Sequence, residues 1–176
     1  MPTRKQHKSH GNGKFKRSQF KRIGENVIFE PGVLVFHPEN IIIEDNVYIG
    51  HNTILKGYYQ NQMVIGQNTW VGQNCFFHAA GGLTIGKNVG IGPGVMIITS
   101  HHKDGVKDIP ILFSTIEFNP VIIGDDSDIG IGAIILPGLT IGRGAQIGAG
   151  SVVTKNINDY VVVAGKPARL IRHRTK

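Results

Sequence analysis

Aliphatic residues recur along the chain every six positions, and this interval sets the first reading. From Ile65 the sequence runs IGQNTW then VGQNCF, and from Ile85 it runs IGKNVG then IGPGVM. From Ile123 it runs IGDDSD, IGIGAI, ILPGLT, IGRGAQ, IGAGSV and VTKNIN. Ile43 and Ile49 open two further hexads, and Phe29 and Val35 are weaker openers. Gly usually follows the opener. A small or β-branched residue takes the fifth place: Thr69, Cys75, Val89, Val95, Ser127, Ala133, Ala145 and Ser151. Period six matches neither the 3.6-residue helix nor the alternation of a hairpin strand. It matches a short strand, a corner and a new short strand, with the opener and the fifth residue pointing inward. Gly, Asn and Asp are expected to relieve the corners, where the backbone turns with positive φ. Three hexads close one triangular coil, and stacked coils bury a continuous aliphatic column.

Three intervals break the period: Leu55 to Ile65, Phe77 to Ile85 and Ile97 to Ile123. The first two are short enough to be corner bulges. The third leaves residues 103–121 outside the solenoid, and a long loop on a compact repeat is usually functional.

Composition agrees with a single repeat domain. The chain has 176 residues, of which 40% are hydrophobic and only 7% aromatic. Rings are expected to be too large for the column. Gly, at 24 residues, is about twice its ordinary share of ~7%. No apolar run reaches the roughly 20 residues of a membrane helix. The basic N-terminus lacks the apolar stretch of a secretory signal. The only cysteine is Cys75, which excludes an internal disulfide and a cysteine-based zinc cluster and fits a reducing cytoplasm.

The net charge of +7 is uneven. Residues 1–22 carry eight Lys or Arg and no acid, whereas the remainder carries eleven basic and twelve acidic residues. Residues 1–24 therefore read as a basic, solvated arm. Its charge suits an anionic surface or a phosphorylated molecule. No helix-turn-helix, zinc finger or RNA-binding signature accompanies it, which argues against nucleic acid as the partner.

About ten hexads in register resemble the hexapeptide-repeat acyltransferase family, most of all its sugar O-acetyltransferase branch, which includes the maltose and galactoside acetyltransferases. The likeness spans roughly residues 25–172. It implies an all-β fold, a left-handed parallel β-helix over residues 25–158 with the external loop 103–121. A short C-terminal CoA-binding segment, 159–176, would follow. It also implies a homotrimer and acetyl-CoA as co-substrate.

Acetyl transfer to a hydroxyl needs a base for the acceptor proton, donors for the oxyanion and a dock for CoA. Histidine is the natural base near neutral pH. His7, His10 and His173 lie near the termini and read as solvated, and His37 and His51 as structural. The segment ITSHHKDG, Ile98–Gly105, lies where the third coil breaks into the loop. His101 falls in a fifth, normally inward slot, and His102 in the next, outward slot. The family places its catalytic histidine after a Thr/Ser-plus-one step here. Ser100-His101-His102 matches with His102 as base, and His101 is the alternative. Where family members often have Pro after this histidine, this chain has Lys103. His78 stands where the sugar acetyltransferases carry a polar residue, often Asn, against the acceptor. It reads equally well as a satisfied structural histidine. His78 and His101 are thus the candidate acceptor contacts.

The C-terminal stretches IGAGSVVTKNI and VVVAGKPARLIR resemble the family's CoA-binding end. Thr154 and Lys155 match positions that contact CoA. Lys166, Arg169 and Arg172 suit its phosphates. Ile131 and Ala149 lie on hexad edges, where the pantetheine arm would approach the backbone. Ile131 replaces the small residue common there.

No metal is required. The γ-carbonic anhydrases share the fold and hold zinc on three histidines. Here two histidines are adjacent and His78 lies one coil away in another slot. No phosphate loop of the GxxxxGK[ST] type occurs. The reading is a cytoplasmic, homotrimeric acetyltransferase acting on a saccharide hydroxyl. Its rivals are an N-acetyltransferase acting on an amino-sugar nucleotide, and a non-catalytic trimeric scaffold whose arm holds an anionic partner.

Overall fold

The computed structural model describes residues 9–105 and 107–175. The hexads fold into six stacked coils and the start of a seventh, each contributing one short strand to each of three parallel sheets. The first face runs from Arg22–Ile23 to Thr140–Ile141, the second from Ile28–Phe29 to Val161–Gly165, and the third from Leu34–Phe36 to Val152–Val153. Register is kept opener on opener, as in Ile43, Ile65, Ile85 and Ile123 on the first face. Among the described residues no helix is long and apolar enough to cross a membrane.

Openers from Ile43 to Ile147 are buried to 1% exposure or less. Each fully buried aliphatic side chain contributes about 1.5–3 kcal/mol. The fifth-place residues are equally buried. Polar ones fit because they bond to the coil above. Thr53 donates to the Gly72 carbonyl at 2.9 Å, Thr69 to Gly86 at 3.0 Å and Ser127 to Gly142 at 2.9 Å. No buried side-chain nitrogen or oxygen among the described residues lacks a partner.

Four expectations need correction. The glycine after the opener does not serve positive φ. A Cβ at Gly130 would sit 2.6 Å from the Ala149 amide nitrogen, so close approach of coils is what demands glycine there. The expected positive φ falls two places later, on Asn46, Asn52, Asn68, Asn74, Asn88 and Asp126 and on Gly94, Gly132, Gly138, Gly144 and Gly150. Second, a ring does enter the column: Phe77 is fully buried, flanked by the small buried residues Cys75 and Ala79. Third, the N-terminal region is not simply a solvated arm. Residues 1–8 lie outside the described residues, but the Gly13 carbonyl accepts the Val35 amide at 2.9 Å. Phe15 and Phe20 pack on Phe29 at centroid distances of 4.9 and 5.7 Å. They close the lower end of the column, which no further coil of the described residues covers. Arg17 binds the Val27 carbonyl at 2.9 Å. The solenoid accordingly starts at Arg22, whose strand pairs with Ile42–Ile43. Fourth, the expected end of the solenoid at residue 158 is too early. Val161–Gly165 continues the second face and Ala168–His173 folds back antiparallel to it.

Along the edge between the first and second faces the positive-φ residues form a ladder. Asn26 donates to Asn46, Asn46 to Asn68, Asn68 to Asn88 and Asn88 to Asp126, at 2.7–3.0 Å. Arg143 closes it with two bonds to Asp126 at 2.8 and 2.9 Å. Asn68→Ala breaks two rungs and forces alanine into the left-handed region, so urea unfolding should show a loss of about 1–3 kcal/mol. Asn68→Gly breaks the same bonds without the backbone strain and should lose less. Equal losses would mean that the backbone conformation is not what selects asparagine.

Candidate active site

Every long interval falls at one corner, between the third and first faces. It holds the short 3-10 turn Pro38–Asn40, residues 57–62, residues 79–82 and the excursion 98–120. Strand ends elsewhere are constrained by the next coil, so this corner is where the chain is free to elaborate.

Thr99 anchors the largest excursion. It is fully buried, donates to the His78 carbonyl at 2.8 Å and accepts the Gly81 amide at 2.8 Å. Beyond it the chain leaves the coil as the hairpin Ser100–His102 against Ile116–Phe118. This corrects the expected inward slot of His101. Thr99 already closes the corner, so His101 is exposed on a strand outside the column.

His101 and His102 point to opposite sides of that strand. His101 Nε2 lies 3.6 Å from Glu117 Oε2, and Lys103 Nζ lies 3.5 Å from Glu117 Oε1. His102 is half-buried, with Nδ1 3.3 Å from the Ser114 carbonyl oxygen. A carbonyl can only accept, so the neutral ring carries its proton on Nδ1 and leaves the Nε2 lone pair free. Ser114 and Thr115 also line a cavity of about 230 Å³ with Lys103, Asp104, Ile109 and Phe113.

His78 lies at the base of the hairpin. Burial pushes its pKa down, and nearby Lys56 and His10 add to the effect. It is therefore neutral at ordinary pH and able both to donate and to accept. Its ring lies 6.1 Å from Tyr58 and stacks on Phe76 at 6.3 Å, and Tyr58 lies 6.0 Å from Phe118. This aromatic wall was not foreseen. Its sequence signal was Tyr58-Tyr59, the only aromatic pair inside a broken interval.

The expected CoA residues fall into separate groups. Ile131 and Ala149 occupy successive rungs of the edge between the second and third faces. Both are exposed, and Gly150 N–H bonds to the Ile131 carbonyl at 2.7 Å. The Lys166 stem continues this edge above Gly150. Lys155 and Arg169 instead share a cavity of about 280 Å³ with Asn156, Asn158, Leu170 and His173. His173, expected to be merely solvated, belongs to this group. Its place on the returning strand, unreadable from the hexads, brings it there. Thr154 is exposed beside Lys155. Arg172 is exposed opposite Val162. Among the described residues no cluster of three or more His, Cys, Asp or Glu is placed to hold a metal ion.

Residues 120–155 match the family model described as bacterial transferase hexapeptide (six repeats), and residues 62–98 that of the hexapeptide repeat of succinyl-transferase. The chain is 34% identical over 159 residues to the galactoside O-acetyltransferase of Escherichia coli K12, covering 89% of this chain and 65% of that one. It is 31% identical over 150 residues to a chloramphenicol acetyltransferase of Agrobacterium fabrum, covering 73% of this chain and 68% of the other. The chain belongs to the hexapeptide-repeat acyltransferase family. The fold is thus the left-handed parallel β-helix of that family. A solved family member, galactoside acetyltransferase in complex with coenzyme A, superposes with a TM-score of 0.67 at 32% identity, covering 90% of this chain and 68% of that one. The chain spans between half and two thirds of the length of the first curated family members it matches.

The lowered pKa of His78 carries a pH prediction. As pH falls through the ordinary histidine range, the unfolded chain takes up this proton before the folded one does. Stability is therefore lost on acidification and is fully present only above that range. His78→Gln removes this contribution, so its thermal midpoint should fall less than that of wild type between pH 7.5 and pH 5. Parallel curves would show that His78 is not held neutral by its surroundings.

Proposed function

We propose that the protein is an acetyl-CoA-dependent acetyltransferase that acetylates a hydroxyl of a saccharide, with His102 as general base. One observation carries the assignment of the base: the Nδ1–Ser114 contact that leaves Nε2 free on the outer face of the coil-to-loop break. Nε2 takes the proton of the acceptor hydroxyl as its oxygen attacks the thioester carbonyl. The tetrahedral intermediate then expels the CoA thiolate, and the imidazolium returns the proton to sulfur. Neutral His78 suits a hydrogen bond to the acceptor, and His101, held by Glu117, orders the hairpin and flanks the acceptor's approach.

Acetyl-CoA would lie with its pantetheine arm along the Ile131–Ala149 edge, and its phosphates would meet Lys155, Arg169 and Lys166, with Thr154 and Arg172 alongside. The catalytic hairpin and this edge lie at different corners of one coil. A homotrimer brings the hairpin of one subunit to the edge of the next. The compartment proposed is the cytoplasm, where acetyl-CoA is available. A second reading, acetylation of an amine, draws on the 39% identity over 93 residues to the tetrahydropyridine dicarboxylate N-acetyltransferase of Staphylococcus aureus, although the chain covers only 34% of that protein. Comparing hydroxyl sugars with amino-sugar nucleotides as acceptors separates the two.

His102→Ala should lower kcat by about 10²–10⁴-fold, the usual contribution of a general base, with acetyl-CoA affinity nearly unchanged. His101→Ala should cost less. If the His101 variant is inactive and the His102 variant active, the base is the neighbouring histidine. If both are active, histidine catalysis is refuted.

Lys155→Ala and Arg169→Ala should each weaken acetyl-CoA binding by about 1.5–3 kcal/mol, the range for hydrogen bonds to charged groups, while acceptor KM changes little. Calorimetry with CoA and dephospho-CoA provides the check. Equal affinity for the two would remove the 3′-phosphate from this cavity.

A further inference from the structure

The chain that precedes the first coil does more than cap it. Gly13 is buried against the third face: a Cβ there would lie 2.8 Å from Leu34 Cβ and 3.0 Å from the Phe36 ring. Above Phe36 in register stand Lys56 and then His78. All three are outward residues at strand ends that open into the broken corner. Two rungs of ~4.8 Å separate Phe36 from His78, and three residues of extended chain span about the same ~10 Å. Three residues are the step from Gly13 back to His10. His10 does act on His78 across the corner: after burial, Lys56 and His10 are the groups that push the His78 pKa down.

The lower part of the corner therefore holds a half-buried ammonium, an exposed imidazole and neutral His78. Lys56 takes part in none of the ion pairs among the described residues. Two carboxylates of this corner are already engaged, Glu39 by His37 at 2.9 Å and Glu117 by His101 and Lys103. A half-buried ammonium with no carboxylate of the protein against it favours an anion from outside. The segment that brings His10 is itself cationic, since residues 1–22 carry eight Lys or Arg and no acid. A phosphate ester suits such a pair better than a carboxylate does, because it brings three acceptor oxygens and a charge of about −1.5 to −2. Thr99 ties His78 to the base of the hairpin that carries His102, so an anion held here would leave its sugar on the reacting side of the corner.

We propose that the acceptor is a phosphate-bearing saccharide, with its phosphate held by Lys56 and His10 and its sugar against His78. The proposal rests on the saccharide reading of the acceptor and narrows it to an anionic one, with the N-terminal segment as part of its site.

Calorimetry would compare glucose, glucuronic acid, glucose 1-phosphate and UDP-glucose, with CoA present in saturating amount so that the donor's own phosphate sites are filled. At least one of the two phosphate esters should bind about tenfold or more tighter than glucose, and Lys56→Gln should weaken that ester by about 10- to 100-fold, the worth of a hydrogen bond to a charged group. Lys56→Arg should keep most of the affinity, and His10→Ala should lose severalfold. Melting temperatures check that the variants are folded. Tighter binding of UDP-glucose identifies a nucleotide-linked acceptor, and tighter binding of glucose 1-phosphate a simple sugar phosphate; both support the site. Esters that bind no better than glucose overturn the proposal, and so does a Lys56→Gln variant that binds them like wild type. Glucuronic acid bound as tightly as the esters overturns the choice of phosphate. If acetyl transfer to neutral sugars, read as CoA release, persists while the esters fail to bind, this proposal alone falls. If acetyl-CoA itself does not bind, the acetyltransferase reading falls with it.

Discussion

No coil of this protein can bury its inward residues alone. Each opener finds its packing partners only in the coils above and below it, and the whole molecule follows from that dependence. It forces register, because a shift of one residue would turn every opener outward. It selects glycine after most openers of the first and second faces, because the coils approach more closely there than a Cβ permits. It requires both ends to be closed. Phe15 and Phe20 cover the lowest rung, and the returning strand Ala168–His173 extends the second face at the other end. Charge is thereby confined to places where the column makes no demand: the N-terminal segment, the edges and the C-terminal strand.

The same dependence explains where chemistry can be placed. Two of the three edges are locked. One is held by the asparagine ladder and its Asp126–Arg143 closure, and the other by the close succession of Ile131, Ala149 and Lys166. The third edge carries all the irregular length, and there the histidines collect. Thr99 is the hinge between these two regimes. It belongs to the column by burial, and its hydroxyl ties the base of the hairpin to His78. The candidate base therefore sits on a short strand anchored to a rigid rung, an arrangement that limits the rearrangement needed at the moment of reaction.

The column was legible in the sequence because an inward opener recurs every six residues within each coil, fifteen times from Ile43 to Val153, a pattern that stacked coils bury. Openers and, His101 apart, the fifth-place residues were read correctly for that reason. What failed were inferences that needed the third dimension. The glycine after the opener and the asparagine two places later answer different constraints, proximity and φ, yet both look like turn residues in one dimension. His101 looked inward because the hexad was counted past Thr99, where the coil had already ended. The basic tract hid Phe15 and Phe20, whose role depends on the open end of a column built from residues further along the chain. His173 joined Lys155 and Arg169 through an antiparallel return that no hexad announces.

The division of labour between column and edge has a consequence for how such a protein can change. Residues on the outer faces and the third edge contribute little to the buried column, so they can be exchanged at small cost in stability. Ile131, exposed at 61%, and half-buried His78 both lie outside the column. Neither disturbs an opener. Selectivity for acceptor and donor can thus be rewritten at the edges while the column stays fixed. Under the proposed function, the identity of the acceptor is to be sought in edge residues such as His78, Tyr58 and Phe118, and not in the repeat that reveals the fold.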